Sequence, residues 1–308
     1  MFDLIIVGGS AAGASAAVYA ARALMNFKVV ATDLGGEVAL SGEIGNYPGF
    51  NETNGIELSQ KFADQMKFNK VDIDEGVTVY AITREGNAFR IVGKDYSENE
   101  KVYQAKAVLL TTGVHPRHLK VPGEKELYQK GVSYCTTCDG PLFRGRVVAT
   151  IGGGNSALES ILMMSNLAKK VYAINIDAEF HGERVYIEKL KTLKNVEVIS
   201  SAETTRILGE GKVTGVEYKE KGSGEKKKIE TDGVFVHIGM IPNSTIVKDL
   251  GICDELGFVE VDKLMQTKIP GLFAAGDVAN IPYQQISIAA GQGVTAFLTA
   301  QNYLNQRQ

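Results

Sequence analysis

The residues in this chain best suited to chemistry are Cys135 and Cys138, in the stretch Tyr134-Cys135-Thr136-Thr137-Cys138-Asp139-Gly140-Pro141. Two thiols separated by two residues can close into a small disulfide ring, which gives the pair a dithiol and a disulfide state. Thiolate attack on a disulfide sulfur is the exchange such a pair performs. The adjacent Asp139 carboxylate can give or take the proton that each thiol needs. A bare C-x-x-C also occurs in metal sites and by chance; its place between two glycine-rich nucleotide-loop patterns is what favours redox chemistry here. The third cysteine, Cys253, stands alone and reads as a small packed residue. A structural zinc site needs four ligands, and neither the cysteines nor His115, His118, His181 and His237 cluster to supply them. No metal is expected, and each histidine is assigned a surface or core role.

The elements around the pair read as two strand–turn–helix units. Asp3-Leu4-Ile5-Ile6-Val7 is an apolar run of the kind that makes a buried parallel strand. It leads into Gly8-Gly9-Ser10-Ala11-Ala12-Gly13 and a helix expected over 14–24. Gly8 permits a tight turn, Gly13 lets helix and strand pack closely, and the helix N-terminus offers N–H groups to a pyrophosphate. Ser10 occupies the middle glycine position of that pattern. A strand over 28–32 leads to Asp33, placed to accept hydrogen bonds from an adenosine ribose. Gly35-Gly36-Glu37 and Asn46-Tyr47-Pro48-Gly49-Phe50 read as loops that fold back over a cofactor. A helix follows over 58–68, and 77–82, 88–92 and 101–104 alternate like a small antiparallel sheet. A separate buried strand is expected from 107 to Thr112-Gly113, and 114–117 reads as a linker.

After the cysteine pair the pattern restarts, with a strand over 146–151, a helix over 158–167 and a strand over 170–174. Between the first two lies Gly152-Gly153-Gly154-Asn155-Ser156-Ala157, which fits G-x-G-x-x-A through Gly152, Gly154 and Ala157. This is a possible second nucleotide loop, with Asn155 beside it. Lys226-Lys227-Lys228, after Gly222-Ser223-Gly224, reads as a solvated hairpin. Residues 271–277 form a strand ending in Gly276-Asp277, and a helix is expected to open near 289–293. Asp277 is thereby placed to bind a ribityl hydroxyl, and the helix N-terminus to face a flavin ring.

Composition sets bounds on these readings. A chain of 308 residues has room for two domains. Its 44% hydrophobic and 22% charged residues match a soluble globular protein. Lys+Arg 33 against Asp+Glu 36 leaves a net charge of -3, without the basic footprint of a nucleic-acid binder. No run approaches the roughly 20 apolar residues of a membrane span, and 2–7 is too short for a signal peptide. A cytoplasmic location is the expectation.

With these motifs in this order, the sequence resembles the low-molecular-weight thioredoxin reductases over essentially its whole length. The resemblance rests on Gly8 and Gly13, Asn46-Tyr47-Pro48-Gly49, Thr112-Gly113, Cys135-x-x-Cys138-Asp139-Gly140, Gly152 to Ala157, Ala274-Ala275-Gly276-Asp277-Val278 and Ala289-Ala290-Gly291-Gln292-Gly293. It implies an α/β fold of two Rossmann-like, three-layer dinucleotide-binding domains, the second inserted into the first. Residues 1–114 and 245–308 would bind FAD, and 117–242 would form an NAD(P)-binding-like domain carrying the dithiol. It further implies a homodimer and thioredoxin as the disulfide substrate. Cys138 would face the flavin and take its electrons, Cys135 would attack the substrate disulfide, and Asp139 would donate the proton. FAD contacts would fall on Gly8, Ser10, Ala11, Ala12, Gly13, Asp33, Gly36, Glu37, Asn46, Thr112, Gly113, Gly276, Asp277, Gln285 and Ile286.

Two departures bear on the electron donor. NADPH-using members carry His-Arg-Arg and a further Arg after the second unit's strand, where guanidiniums pair with the 2′-phosphate. Here the segment reads Ile174-Asn175-Ile176-Asp177-Ala178-Glu179-Phe180-His181-Gly182, with no arginine and two added acids. A like-charge contact at roughly 4 Å in a partly exposed site costs about 1 to 4 kcal/mol, so NADPH is a poor donor. NADH remains open, because Asp177 lies about where an acid binds an NAD ribose. The ferredoxin-dependent flavin thioredoxin reductases are similar in lacking the arginine signature, and reduced ferredoxin is the donor expected. The second departure is Gln284-Gln285, which replaces the family's usual Arg-Gln beside the flavin. The competing readings are an NADH- or NADPH-dependent thioredoxin reductase, a flavin dithiol oxidase that uses oxygen, and a non-catalytic redox sensor.

Overall fold

The computed structural model describes residues 1–41 and 43–307, with only the backbone of Glu43. Gln308, the last residue of the expected FAD domain, lies outside the described residues. The chain forms two compact units, Met1–His115 with Ile241–Gln308, and Pro116–Met240.

The first segment runs β1 (Phe2–Val7), α1 (Ala11–Arg22), β2 (Phe27–Ala31), α2 (Gly36–Ala39), β3 (Glu43–Ile44), β4 (Thr53–Asn54), α3 (Gly55–Phe68), β5 (Ile73–Glu75), β6 (Val77–Glu85), β7 (Ala88–Asp95), β8 (Glu100–Leu110) and β9 (Val114–Pro116). The middle segment runs β10 (Val132–Ser133), α4 (Thr136–Asp139), β11 (Val147–Ile151), α5 (Asn155–Leu167), β12 (Lys170–Ile174), α6 (Arg184–Leu190), β13 (Val196–Ile199), β14 (Ala202–Gly209), β15 (Val213–Glu220), β16 (Lys226–Glu230), β17 (Gly233–Val236) and β18 (Met240–Pro242). The last segment adds β19 (Leu272–Ala274) and α7 (Ile286–Asn305).

In the outer unit the sheet order is β5-β2-β1-β8-β7-β6, with β19 also on β8. Successive strand side chains point to opposite faces, and β1 divides accordingly. Leu4 and Ile6 pack with α1, α3 and α7, through residues such as Ala16, Leu58 and Phe297. Ile5 and Val7 pack on the other face with Val77, Ile82, Phe89 and Ile91 of β6 and β7. The result is three layers, helices on a mostly parallel sheet on a β-meander.

The middle unit repeats the plan. Its sheet, β10-β17-β11-β12-β13, is parallel throughout. Val148, Val171 and Phe235 face Leu158, Ile161 and Met164 of α5. Ala149, Ile151 and Val234 face Ile207, Val216 and Tyr218 of the antiparallel β14-β15-β16 sheet. The fold is therefore α/β with two Rossmann-like sheets, the second inserted in the chain of the first. Among the described residues no helix is long and apolar enough to cross a membrane.

Three local expectations need correction. Residues 101–104 and 107–110 belong to one strand, β8, whose first half pairs antiparallel with β7 and whose last residues pair parallel with β19. α1 starts at Ala11 rather than 14, because Gly13 lies inside the helix and not in the turn: a Cβ there would run into the Gly8 carbonyl. α7 opens at Ile286, not near 289, and Gly291 and Gly293 are interior to it.

Candidate functional site

The middle unit gathers its polar groups at the carboxyl ends of parallel strands, where open α/β sheets bind ligands. The cysteine pair follows β10, His237 follows β17, the glycine loop follows β11 and Asn175 follows β12. Cys135 and Cys138 are joined in a disulfide with a Cα–Cα distance of 5.3 Å. Both are partly buried, and the intervening Thr137 is exposed. The turn that carries them is held by its own backbone. Cys138 N–H donates to Cys135 Sγ (3.2 Å), Asp139 N–H to the Cys135 carbonyl (3.0 Å) and Cys135 N–H to Ser133 Oγ (3.0 Å). Ser133 does not stand out in the sequence, because a serine two residues before a cysteine is a signal only when the chain turns there.

Tyr134, just before the pair, donates to Glu124 Oε1 (2.9 Å) and lies 2.7 Å from His118 Nδ1. Glu124 is 3% exposed and also accepts from the N–H groups of Leu119 and Lys120. Burial, with the Glu124 hydrogen bond, holds the Tyr134 phenol well above its usual range. This cluster anchors the residue that precedes Cys135.

The second glycine loop is well formed. Gly152 has φ +143 and a Cβ there would run into the His237 carbonyl, while Ala157 is fully buried under it. The residue after β12, however, is turned inward. Asn175 is 0% exposed, its Oδ1 accepts from Asp177 N–H (3.2 Å) and its Nδ2 donates to the Glu179 carbonyl (2.7 Å). Asp177 pairs with His181 (3.3 Å) and more loosely with Lys221 (4.0 Å). Asn155 Oδ1 accepts from Glu183 N–H at 2.7 Å.

In the outer unit a second cradle lies at the ends of β1, β2, β8 and β19. Gly8 has φ +110, and a Cβ there would strike the Thr111 carbonyl. Ser10, in the middle loop position, turns its hydroxyl away to donate to the Gly35 carbonyl (2.7 Å), so the loop stays open to phosphate. Ala11 and Ala12 are buried at the start of α1. Asp33 Oδ1 accepts from the N–H groups of Gly35 and Gly36, which shapes the turn into α2 and Glu37. Thr112 and Asn243 exchange hydrogen bonds (both 2.8 Å) beside Gly113, and Asn243 Oδ1 meets His115 Nδ1 at 2.8 Å. Asn46 Nδ2 donates to Gln285 Oε1 (3.2 Å), at the cap that precedes Ile286. The bonding of Asn243 is not legible in the sequence, since its partners lie 131 and 128 residues away. Cys253 packs against the core of this unit, and burial pushes its thiol up.

Asp277 is the group that tests a cofactor here. Its Oδ1 is buried with no hydrogen-bond partner among the described residues. Burial, then the nearby Glu37 charge, raises its carboxyl to about 6. A buried orphan acceptor costs about 1–3 kcal/mol, and a polyol hydroxyl from a ligand would relieve it. With the phosphate-sized glycine turn at Gly8 and the N-terminus of α7 beside it, the donor and acceptor set fits FAD.

Comparison with known proteins agrees. The family profile described as pyridine nucleotide-disulphide oxidoreductase matches residues 2–293. The thioredoxin reductase from Streptococcus pyogenes superposes with a TM-score of 0.91 at 33% identity, covering 99% of both chains. That from T. acidophilum gives 0.67 at 42% identity, covering 100% of this chain and 99% of the other. The F component of the alkyl hydroperoxide reductase of Pseudomonas putida is 40% identical over 98% of this chain, which spans 58% of that relative's length. By these matches the chain belongs to the pyridine nucleotide-disulphide oxidoreductase family, with the fold of the thioredoxin reductases and FAD as its cofactor.

Proposed function

We propose that the protein is a thioredoxin reductase that works as a homodimer, with Cys135 and Cys138 as the redox pair. The observation that carries this reading is the partly exposed Cys135–Cys138 disulfide in a turn that points an N–H at the Cys135 sulfur. FAD, when bound, supplies the electron pair that opens this disulfide. Residues 1–114 and 245–308 are the FAD-binding domain in this reading, and 117–242 the dithiol domain. Gly8, Ser10, Ala11, Ala12 and Gly13 receive the pyrophosphate, Asp33, Gly36 and Glu37 the adenosine ribose side, and Asn46, Thr112, Gly113, Gly276, Asp277, Gln285 and Ile286 the flavin side. Cys135 attacks the partner disulfide, Cys138 resolves the mixed disulfide that forms, and Asp139 protonates the leaving thiolate.

The donor in this reading is reduced ferredoxin. Its support is the β12 end: Asn175 is spent within the fold, and the basic side chains near Asp177, the His181 ring and Lys221, lie against that acid. Among the described residues of this segment, neither a guanidinium for a 2′-phosphate nor an unengaged strand-end acid for a ribose is offered. NADH is the alternative, through Asp177. Anaerobic mixing of the holoprotein with NADPH, NADH or reduced ferredoxin discriminates them. Ferredoxin is expected to bleach the flavin and, with oxidised thioredoxin present, to yield thiols. Bleaching by NADPH at micromolar affinity would overturn the assignment. The F components of the alkyl hydroperoxide reductases extend well beyond the matched region, so their substrate is not carried over.

A pH dependence follows from Asp277. A ligand hydroxyl donated to Oδ1 favours the ionised carboxylate, so FAD binding draws its pKa down from about 6. Binding therefore releases a proton below that value, and affinity falls as pH drops through it. From about pH 7 to about pH 5 a loss of about tenfold is expected. Asp277→Asn should bind FAD more weakly at neutral pH and show a flat profile, as read by flavin fluorescence on dilution. An unchanged slope in that variant would remove Asp277 from the site.

A further inference from the structure

Behind the disulfide lies a chain of polar side chains to which the exchange reaction assigns no role. Thr136 is the first residue of α4, sits between the two cysteines and is 5% exposed. Its Oγ1 is 2.7 Å from His237 Nε2 and 2.6 Å from Ser160 Oγ, and Ser160 Oγ is 3.3 Å from Thr150 Oγ1. His237 follows β17, Ser160 lies in α5 and Thr150 in β11. The turn that carries the cysteines is therefore tied through one hydroxyl to three elements of the unit's rigid body. Burial pushes His237 down to about 4, so its ring is neutral near pH 7. A neutral ring either accepts from Thr136 or donates to it, according to tautomer, and each hydroxyl can rotate to match. The three contacts can form with either sense of donation.

Apolar packing alone would stabilise α4 against α5 without directing the turn, whereas buried hydrogen bonds specify one position. We propose that His237, acting through Thr136, is a positioning residue for the redox pair: it keeps the Cys138 N–H on the Cys135 sulfur after the disulfide opens. Opening breaks the S–S bond and takes up an electron pair from FAD and a proton for each sulfur that ends as a thiol. The sulfurs then lose the covalent tie that kept them together, and only the backbone keeps Cys135 Sγ beside its donor. An N–H aimed at a thiolate favours the charged form and makes the thiol more acidic, which is what the attacking sulfur requires. The inference rests on the reading of Cys135 and Cys138 as the redox pair with Cys135 attacking.

The test is the rate at which iodoacetamide alkylates Cys135, followed against pH in FAD-loaded Cys138→Ser protein. Adding Thr136→Val or His237→Ala is expected to shift the profile up by about one pH unit and to slow alkylation near neutral pH about tenfold. Thr136→Ser, which keeps the hydroxyl, is expected to restore the parent rate to within about twofold. Ser160→Ala, which removes the other partner of Thr136, substitutes for any variant that fails to fold and is expected to shift the profile the same way. A parent-like profile in folded His237→Ala protein, or in folded Thr136→Val or Ser160→Ala protein, would overturn the proposal. Alkylation needs neither thioredoxin nor an electron donor. A shifted profile in an enzyme that reduces no thioredoxin would therefore sink the proposed function and leave this inference standing.

Discussion

Cys138→Ser protein is expected to stay yellow and to lose thioredoxin reduction by at least about a thousandfold, since the exchange has no route around a missing sulfur. The two cysteines differ in what they leave behind. Without Cys138, a reduced Cys135 can still attack a partner disulfide, forming one S–S bond while the partner's other sulfur leaves as a thiolate. Nothing then resolves the mixed disulfide, so a covalent complex through Cys135 should accumulate on non-reducing gels. Without Cys135, Cys138 remains but lacks the N–H that faces Cys135 Sγ at 3.2 Å, and little complex should form. Equal trapping by both variants would remove the division of labour between them. Continued turnover in Cys138→Ser would remove the dithiol mechanism.

The second large effect lies in the cradle of the outer unit. A Cβ at Gly293 of α7 would run into the Ala12 carbonyl of α1, so Gly293→Val forces the two helices apart. Overpacking of this kind costs typically about 1–3 kcal/mol, and here the displaced backbone is the first turn of α1, which follows directly on the glycine loop. The variant is expected to lose about 3 kcal/mol of stability and to be isolated largely without FAD. Gly291, two residues away, is exposed with nothing within 4 Å of its missing Cβ. Gly291→Ala should therefore gain about 0.5–1 kcal/mol from helix propensity and keep its flavin. Urea titrations with flavin absorbance separate the two outcomes. Equal behaviour of the pair would mean that the α1–α7 contact does not form the cradle.

Much of this architecture is legible in the residues alone. β1 and β11 stand out as apolar runs cut off by glycines, because parallel strands buried on both faces leave no alternation to confuse them. The turn of the β15–β16 hairpin is legible from Gly222-Ser223-Gly224 and the lysines that follow it. What stays hidden depends on contacts distant in sequence. β8 reads as two strands because its first half alternates, with Tyr103 and Ala105 buried, and its second half is buried on both faces. His237 reads as an ordinary core or surface histidine, since nothing local reports that Thr136 is 101 residues away in sequence and 2.7 Å away in space. The inward turn of Asn175, two positions before Asp177, leaves no trace in composition either.

The most direct measurement follows electrons rather than any one donor. The holoprotein's FAD is reduced photochemically without oxygen, oxidised thioredoxin is added, and thiols on thioredoxin are counted as flavin colour returns. Full reduction leaves one electron pair on the flavin and one on Cys135 and Cys138, so the account predicts two thioredoxin dithiols for each flavin reoxidised. Flavin that regains its colour without producing those thiols, or a purified protein that takes up no FAD, would contradict it.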